Sequence, residues 1–174
     1  DPDHPYQKML LGYVAQFCEM DESEIGLGVD GCGAPVFFMP LVKTALGFKN
    51  FAEPDSFDED IQNACRRITK AMYENPWYVA GTKHFSVALC ESATTTLLIK
   101  GGAEGIVCAA VPGQDLAVAV KADDGAKRGF VPVICSLLLE LGIVSETDDL
   151  AFHIHKSRFN SQDIEVGTCR VLLD

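Results

Sequence analysis

Ala93-Thr94-Thr95-Thr96-Leu97-Leu98-Ile99-Lys100-Gly101-Gly102-Ala103-Glu104-Gly105-Ile106-Val107-Cys108-Ala109-Ala110-Val111-Pro112-Gly113-Gln114-Asp115-Leu116-Ala117-Val118-Ala119-Val120-Lys121 is the stretch that decides the fold. Ala93 to Lys100 is rich in Thr, Leu and Ile, residues that suit a pleated surface, and reads as a strand. Gly105 to Val111 reads as a second strand, Pro112 to Asp115 as a hairpin turn, and Leu116 to Lys121 as a third. Ala117 to Val120 is entirely apolar, which predicts burial on both faces. An antiparallel meander therefore lies at the centre of the chain.

Helical signals flank it. Downstream, Ala126 to Leu141 reads as a helix stopped by Gly142, with Pro132 delaying or kinking its start. Upstream, His4 to Met20 opens with Pro5 in the first turn and repeats Met9, Leu10, Tyr13, Val14 and Phe17 at helical spacing. A short apolar helix is expected from Leu41 to Leu46, ending at Gly47. Ser56-Phe57-Asp58-Glu59 carries a capping-box pattern ahead of a stripe of Ile61, Ala64, Cys65, Ile68, Ala71 and Met72, and Asn75-Pro76 ends that helix. The segment Gly26 to Pro35 holds four glycines and reads as a backbone-driven loop. Phe152 to His155 and Glu165 to Val171 read as short strands of the tail. Helices, then a meander, then a packing helix make an α+β fold, an antiparallel sheet packed by helices in one domain spanning residues 1–174.

Composition narrows the function. The 174 residues are 48% apolar and 22% charged, which is globular composition and enough chain for a core. The net charge of −11 opposes binding to nucleic acid or to an anionic membrane, and Arg66-Arg67 and Lys127-Arg128 are too short as basic patches. No apolar run approaches the ~20 residues of a membrane span. Seven cysteines, an odd number with no Cys-x-x-Cys spacing, fit buried thiols in a reducing cytoplasm better than a secreted disulfide scaffold.

Three glycine-rich patches bear on chemistry. Gly101-Gly102-Ala103-Glu104-Gly105 lies between two strands, so it does not open a helix as a phosphate loop would. Its plain reading is a tight connection. Its sharper one is Lys100-Gly101-Gly102 as the strand-edge lysine and glycine with which serine acyl-transfer enzymes present an ammonium. Asp30-Gly31-Cys32-Gly33 is either a self-capped turn or a carboxylate for a substrate ammonium beside a soft metal ligand. Asp123-Asp124-Gly125 more simply caps the following helix than does acid–base work. His153 and His155 alternate on one face of the expected strand and lack a third ligand. No serine has a lysine three residues on, so a self-contained Ser-x-x-Lys nucleophile is not legible.

In this order the patches resemble the asparaginase II family, the rhizobial-type L-asparaginases related in fold to serine β-lactamases and glutaminases. The resemblance runs through Asp1-Pro2-Asp3-His4-Pro5 with Gln7, Val29 to Pro35, Asn75-Pro76-Trp77-Tyr78-Val79-Ala80-Gly81, Lys100 to Gly105, Ala119 to Ala126 and Val166-Gly167-Thr168-Cys169-Arg170. It implies the C-terminal part of a β-lactamase- or penicillin-binding-like fold, and hydrolysis of L-asparagine to L-aspartate and ammonia by serine–lysine pairs. It further implies Lys100 as the catalytic strand-end lysine, Asp30 as the substrate-binding carboxylate, and Cys32 as one ligand of a zinc whose other ligands lie upstream. Zinc is not required for the chemistry on this reading, and a homodimer is a family expectation. The family's upstream half, with both serines and the metal segment, has no counterpart in these residues, which begin Asp1-Pro2-Asp3. The expectation is the C-terminal portion of a longer protein, inactive alone and completed by an N-terminal segment or chain. A non-catalytic small-molecule- or metal-binding module, an interaction subunit, and an amidase for glutamine or another amide remain open alternatives.

Overall fold

In the computed structural model, which describes residues 1–155 and 157–173, the meander is a three-stranded antiparallel sheet. Its strands are β3 (Leu98–Gly101), β4 (Ile106–Val111) and β5 (Leu116–Lys121), in that order. Lys100 pairs with Cys108 and Val107 with Val120, and the lysine stands one residue before the end of β3, a strand at the edge of this sheet. The other strands form two hairpins, β1 (Gly26–Val29) with β2 (Pro35–Phe38), and β6 (Ser157–Phe159) with β7 (Glu165–Thr168). The helices are α1 (Pro5–Cys18), α2 (Leu41–Ala52), α3 (Glu59–Glu74), α4 (Pro76–Ala80), α5 (Phe85–Ser92), α6 (Lys127–Glu140) and α7 (Asp148–Ile154). The fold is α+β, small antiparallel sheets packed by helices, as the sequence predicts.

Strand alternation assigns the two faces of the sheet. Val107, Ala109 and Val111 of β4 join Ile99 and pack with Phe85 and Leu89 of α5, Ile134 and Leu138 of α6 and Leu150 of α7. Ala110 and Leu98 face the other way, against Ala52, Phe48 and Phe51 of α2 and Met72 of α3. Each large side chain taken wholly from water in this way contributes about 1.5–3 kcal/mol.

The strand buried on both faces is β4, not β5. Ala117 to Val120 are only half-buried, because β5 is the sheet's last strand and its far edge lacks a partner among the described residues. The first strand is shorter than expected. Ala93 bridges Val144 and the Thr94 amide donates to the Ile143 carbonyl, so the threonine run is tied to the segment after α6 and leaves the sheet.

Upstream, four expectations change. Gly26 to Pro35 is largely a hairpin, because Asp30 fastens its own turn and lets the flanking residues pair. Helix α2 runs through Gly47 to Ala52, since that glycine lets the backbone approach Cys18 of α1, where a Cβ would stand 2.7 Å from the sulfur. Asp58, not Ser56, caps α3 by accepting from the Ile61 amide at 3.0 Å. The covered line of α3 is Ile61, Cys65, Thr69 and Met72, while Ala64, Ile68 and Ala71 stay exposed, because the helix touches the sheet along one narrow edge.

Downstream, Phe152 to Ile154 is helical. Thr147 accepts from the Leu150 amide, Asp148 and Asp149 complement the dipole of the first turn, and these signals override strand propensity. Pro132 sits inside α6, and the Arg128 carbonyl four residues earlier accepts from the Cys169 thiol at 3.9 Å instead. No helix among the described residues is long and apolar enough to cross a membrane. Cys18, Cys65, Cys90, Cys108 and Cys135 are buried free thiols.

Two glycines close the sheet onto α6. A Cβ on Gly105, whose φ is +71°, would lie 2.7 Å from the Gly125 carbonyl carbon, and the Ala122 amide donates to the Gly105 carbonyl at 2.8 Å. Gly105→Ala therefore meets both a backbone clash and left-handed strain, for an expected loss of about 3 kcal/mol in urea unfolding. Gly113→Ala has a similar φ of +81° with open space around it, and should lose only about 1 kcal/mol. Equal losses at the two positions would remove the close approach from the account.

Candidate active site

The open end of the sheet, where the β3–β4 turn meets the starts of α5 and α6, forms a cleft of about 210 Å³. That is below the ~300–1,000 Å³ of drug-sized pockets and suits a small metabolite. Lys100, Gly101 and Gly102 come from the end of β3, His84 and Ser86 from the entry of α5, and Lys127 from the first residue of α6. Gly102 has no room for a side chain, since a Cβ there would stand 2.7 Å from Ile106 Cγ2. Phe85 and Phe130, in edge-to-face contact at 5.7 Å, make the apolar floor.

Three groups give the cleft its electrostatics. The Lys100 ammonium donates to the Gly101 carbonyl at 2.6 Å, and neither Lys100 nor Lys127 is ion-paired among the described residues. His84 caps α5, its Nδ1 accepting from the Ser86 amide at 3.3 Å, which leaves Nε2 to carry the proton of the neutral ring. Burial holds its pKa below the ordinary histidine value, and the positive charges of Lys127, His153 and Lys100 add to the effect. Ser86 is buried and its hydroxyl lacks a hydrogen-bond partner.

Asp30 and Cys32 do not line this cleft. They occupy the β1–β2 turn, where Asp30 Oδ1 accepts from the Cys32 amide at 2.8 Å and the Ala34 amide at 3.0 Å. The Ala34 amide, followed by those of Cys32 and Gly33, holds the carboxyl below the usual aspartate value. Cys32 is exposed, and among the described residues no group of three or more His, Cys, Asp or Glu side chains converges on a metal position. One thiol and a carboxylate engaged with its own turn do not fit a zinc site without further ligands. Asp124 accepts from the Ala126 amide and pairs with the Arg128 guanidinium, which fastens the turn before α6, but the helix cap expected of that patch is not formed, because the N-cap Ala126 has no side-chain cap. His153 lies in α7 and His155 ends it, so the expected two-residue strand face does not exist.

The L-asparaginase II family model matches residues 1–171. The chain belongs to that family. Its activity class is asparaginase-like amide hydrolysis, acting on a small-molecule amide. No curated protein matches the chain in direct comparison.

In this asparaginase II chain, sequence reading found Lys100, Gly101 and Gly102 but missed His84, Ser86 and Lys127. Positions 84, 86, 100 and 127 have no shared spacing, and only the fold brings them to one cleft. The sole advance signal was the recurrence of glycine at 105 and 125, which marks where two turns approach closely.

With its pKa lowered, His84 takes up a proton in the unfolded chain near pH 6.5 but stays neutral when folded until the pH is lower. The neutral ring thus contributes stability above about pH 6.5 that is lost as pH falls through the folded value. Histidine NMR titration should place His84 below the free value, with Lys127→Met moving it upward. Alkylation of the native chain should reach exposed Cys32 first, while Cys90 and Cys108, pushed by burial to about 11, and Cys135, to about 12, react only after unfolding.

Proposed function

We propose that this chain carries the lysine side of an L-asparaginase active site, with Lys100 as the catalytic ammonium and L-asparagine as the substrate. The supporting observation is the Lys100-Gly101-Gly102 edge lining an open cleft, in a chain whose residues 1–171 match the family. In the proposed reaction a serine oxygen attacks the side-chain amide carbonyl and the C–N bond breaks, releasing ammonia. Water then cleaves the acyl ester, releases L-aspartate and restores the hydroxyl. Lys100 would offset the negative charge that develops on the reacting oxygens and exchange the proton moved at each attack.

The hydroxyl that lines the cleft, Ser86, is fully buried, so it cannot reach a substrate carbonyl without rearrangement. We therefore assign the attacking serine to a further segment of the enzyme that packs over this cleft, in the same chain or another. Asp30, held ionised by its turn, is the proposed partner of the substrate ammonium. Cys32 is the proposed contribution to a zinc completed by ligands from that further segment. A cytoplasmic location and a homodimer belong to the same proposal.

The decisive experiment assays the gene product with all its encoded residues against L-asparagine and L-glutamine, and repeats it with Lys100→Met. Ammonia release from asparagine should fall by about 10²–10⁴-fold in the variant, the usual worth of a general acid–base group. Near-normal turnover would demote Lys100 to a solvated strand-end residue. Activity confined to glutamine, whose single extra methylene is discriminated by pocket shape, would reassign the substrate. Zinc content that is unchanged in Cys32→Ala would remove that thiol from the ligands.

A further inference from the structure

We propose that Cys169 is a positioning residue: standing just beyond β7, it ties the tail hairpin to the first turn of α6 and so sets Lys127 in the cleft. The inference rests on the reading of that cleft as the active site, and adds to it a residue that does not line it.

The first turn of α6 is poorly held by its own helix. Ala126 at the N-cap offers no side-chain acceptor to the leading amides. Pro132 has no amide to donate to the Arg128 carbonyl four residues back, and its ring crowds that carbonyl. A helix start with both defects takes its position from groups outside it. On the sheet side, Asp124 accepts from the Ala126 amide and pairs with the Arg128 guanidinium. Gly129 brings the backbone so near the end of β5 that a Cβ on it would stand 3.3 Å from Ala122 Cβ.

The tail supplies the remaining tie. The Cys169 thiol donates to the Arg128 carbonyl at 3.9 Å, the group that Pro132 leaves without its usual donor. The Arg158 guanidinium of β6 donates to the same sulfur at 3.6 Å, and Arg158 has no ion pair among the described residues. The register of β6 shifts between Arg158 and Phe159, an irregularity of the kind that re-aims a side chain. Sulfur makes weak hydrogen bonds, so this tie governs where the turn sits more than how stable the fold is.

The position of Lys127 is felt across the cleft. Lys127 is the first residue of α6, directly before Arg128, and its ammonium helps to hold His84 neutral. Only the neutral ring can cap α5, since Nδ1 accepts from the Ser86 amide and a protonated imidazole has no acceptor. A contact made by the tail thus reaches the wall formed by α5 through one lysine.

The test follows the His84 ring protons by NMR across pH in the complete gene product and its variants. Lys127→Met should raise the His84 pKa, and Cys169→Ala should raise it by less, with little change in thermal midpoint. The two substitutions combined should give the Lys127→Met value, because a residue acting through Lys127 then has nothing left to move. Arg158→Met, which keeps the thiol, should shift His84 the same way and replaces Cys169→Ala if that variant does not fold. The charge of Arg158 is not among those that act on His84 directly. Asparagine turnover should fall about tenfold in Cys169→Ala, inside the ~10²-fold that a 1 Å misplacement costs. A His84 pKa unmoved in the folded variant, or moved as far again in the Lys127→Met background, overturns the tie. Unchanged turnover beside a shifted His84 overturns its bearing on catalysis. Absence of hydrolysis by the unsubstituted gene product overturns the asparaginase reading alone, because His84 reports the tie without it.

Discussion

Strand Ile106–Val111 gives up both its faces and both its edges, and the arrangement of the chain follows from that demand. Its small side chains, Ala109 and Ala110, let helices approach closely from either side. One face collects α5, α6 and α7, the other α2 and α3, and the two neighbouring strands satisfy its backbone groups. Cys108 lies in the same strand, and its thiol is pushed to about 11 because no water reaches it. Such a thiol packs as a small hydrophobe, not as a nucleophile.

The cleft is a by-product of how the ends of this strand are tied. The turn before β4 and the turn after β5 meet at Gly105 and Gly125, where their backbones approach more closely than any side chain allows. That contact sets Lys100, at the end of β3, across from Lys127, at the start of α6. Among the described residues neither lysine is ion-paired, so the fold alone brings both to the cleft.

The sequence was most legible where local chemistry and tertiary demand agree. Strands β4 and β5, the turn between them, the Asn75-Pro76 stop and the Pro5 start of α1 all follow from residues next to one another in the chain. It was least legible where a distant contact decides. Gly47 looks like a helix stop and is instead a packing notch for Cys18. The threonines at 94–96 favour a strand, yet their segment is captured by Ile143 and Val144. The same limit applies to the site: a lysine beside two glycines is recognisable alone, whereas His84 and Ser86 become notable only beside it.

A free α-amino acid is a zwitterion, so a site that distinguishes it from a simple amide must answer both charges. On the proposed reading Asp30 answers the ammonium, and it stands on a different unit of the fold from the cleft that holds Lys100. On the proposed reading the cleft at the end of β3 presents Lys100 to the side-chain amide, and Asp30 in the β1–β2 turn stays ionised because backbone amides stabilise its negative form. These two positions are set in different ways, one by sheet and helix packing, the other by a self-fastened turn. On the proposed reading, a substrate engaging both would couple the hairpin to the sheet, and hairpin position would then set KM while Lys100 sets kcat. That separation follows from the physics of the two sites: Asp30 meets a charge already present in the ground state, and Lys100 meets one that appears only as the amide carbonyl is attacked.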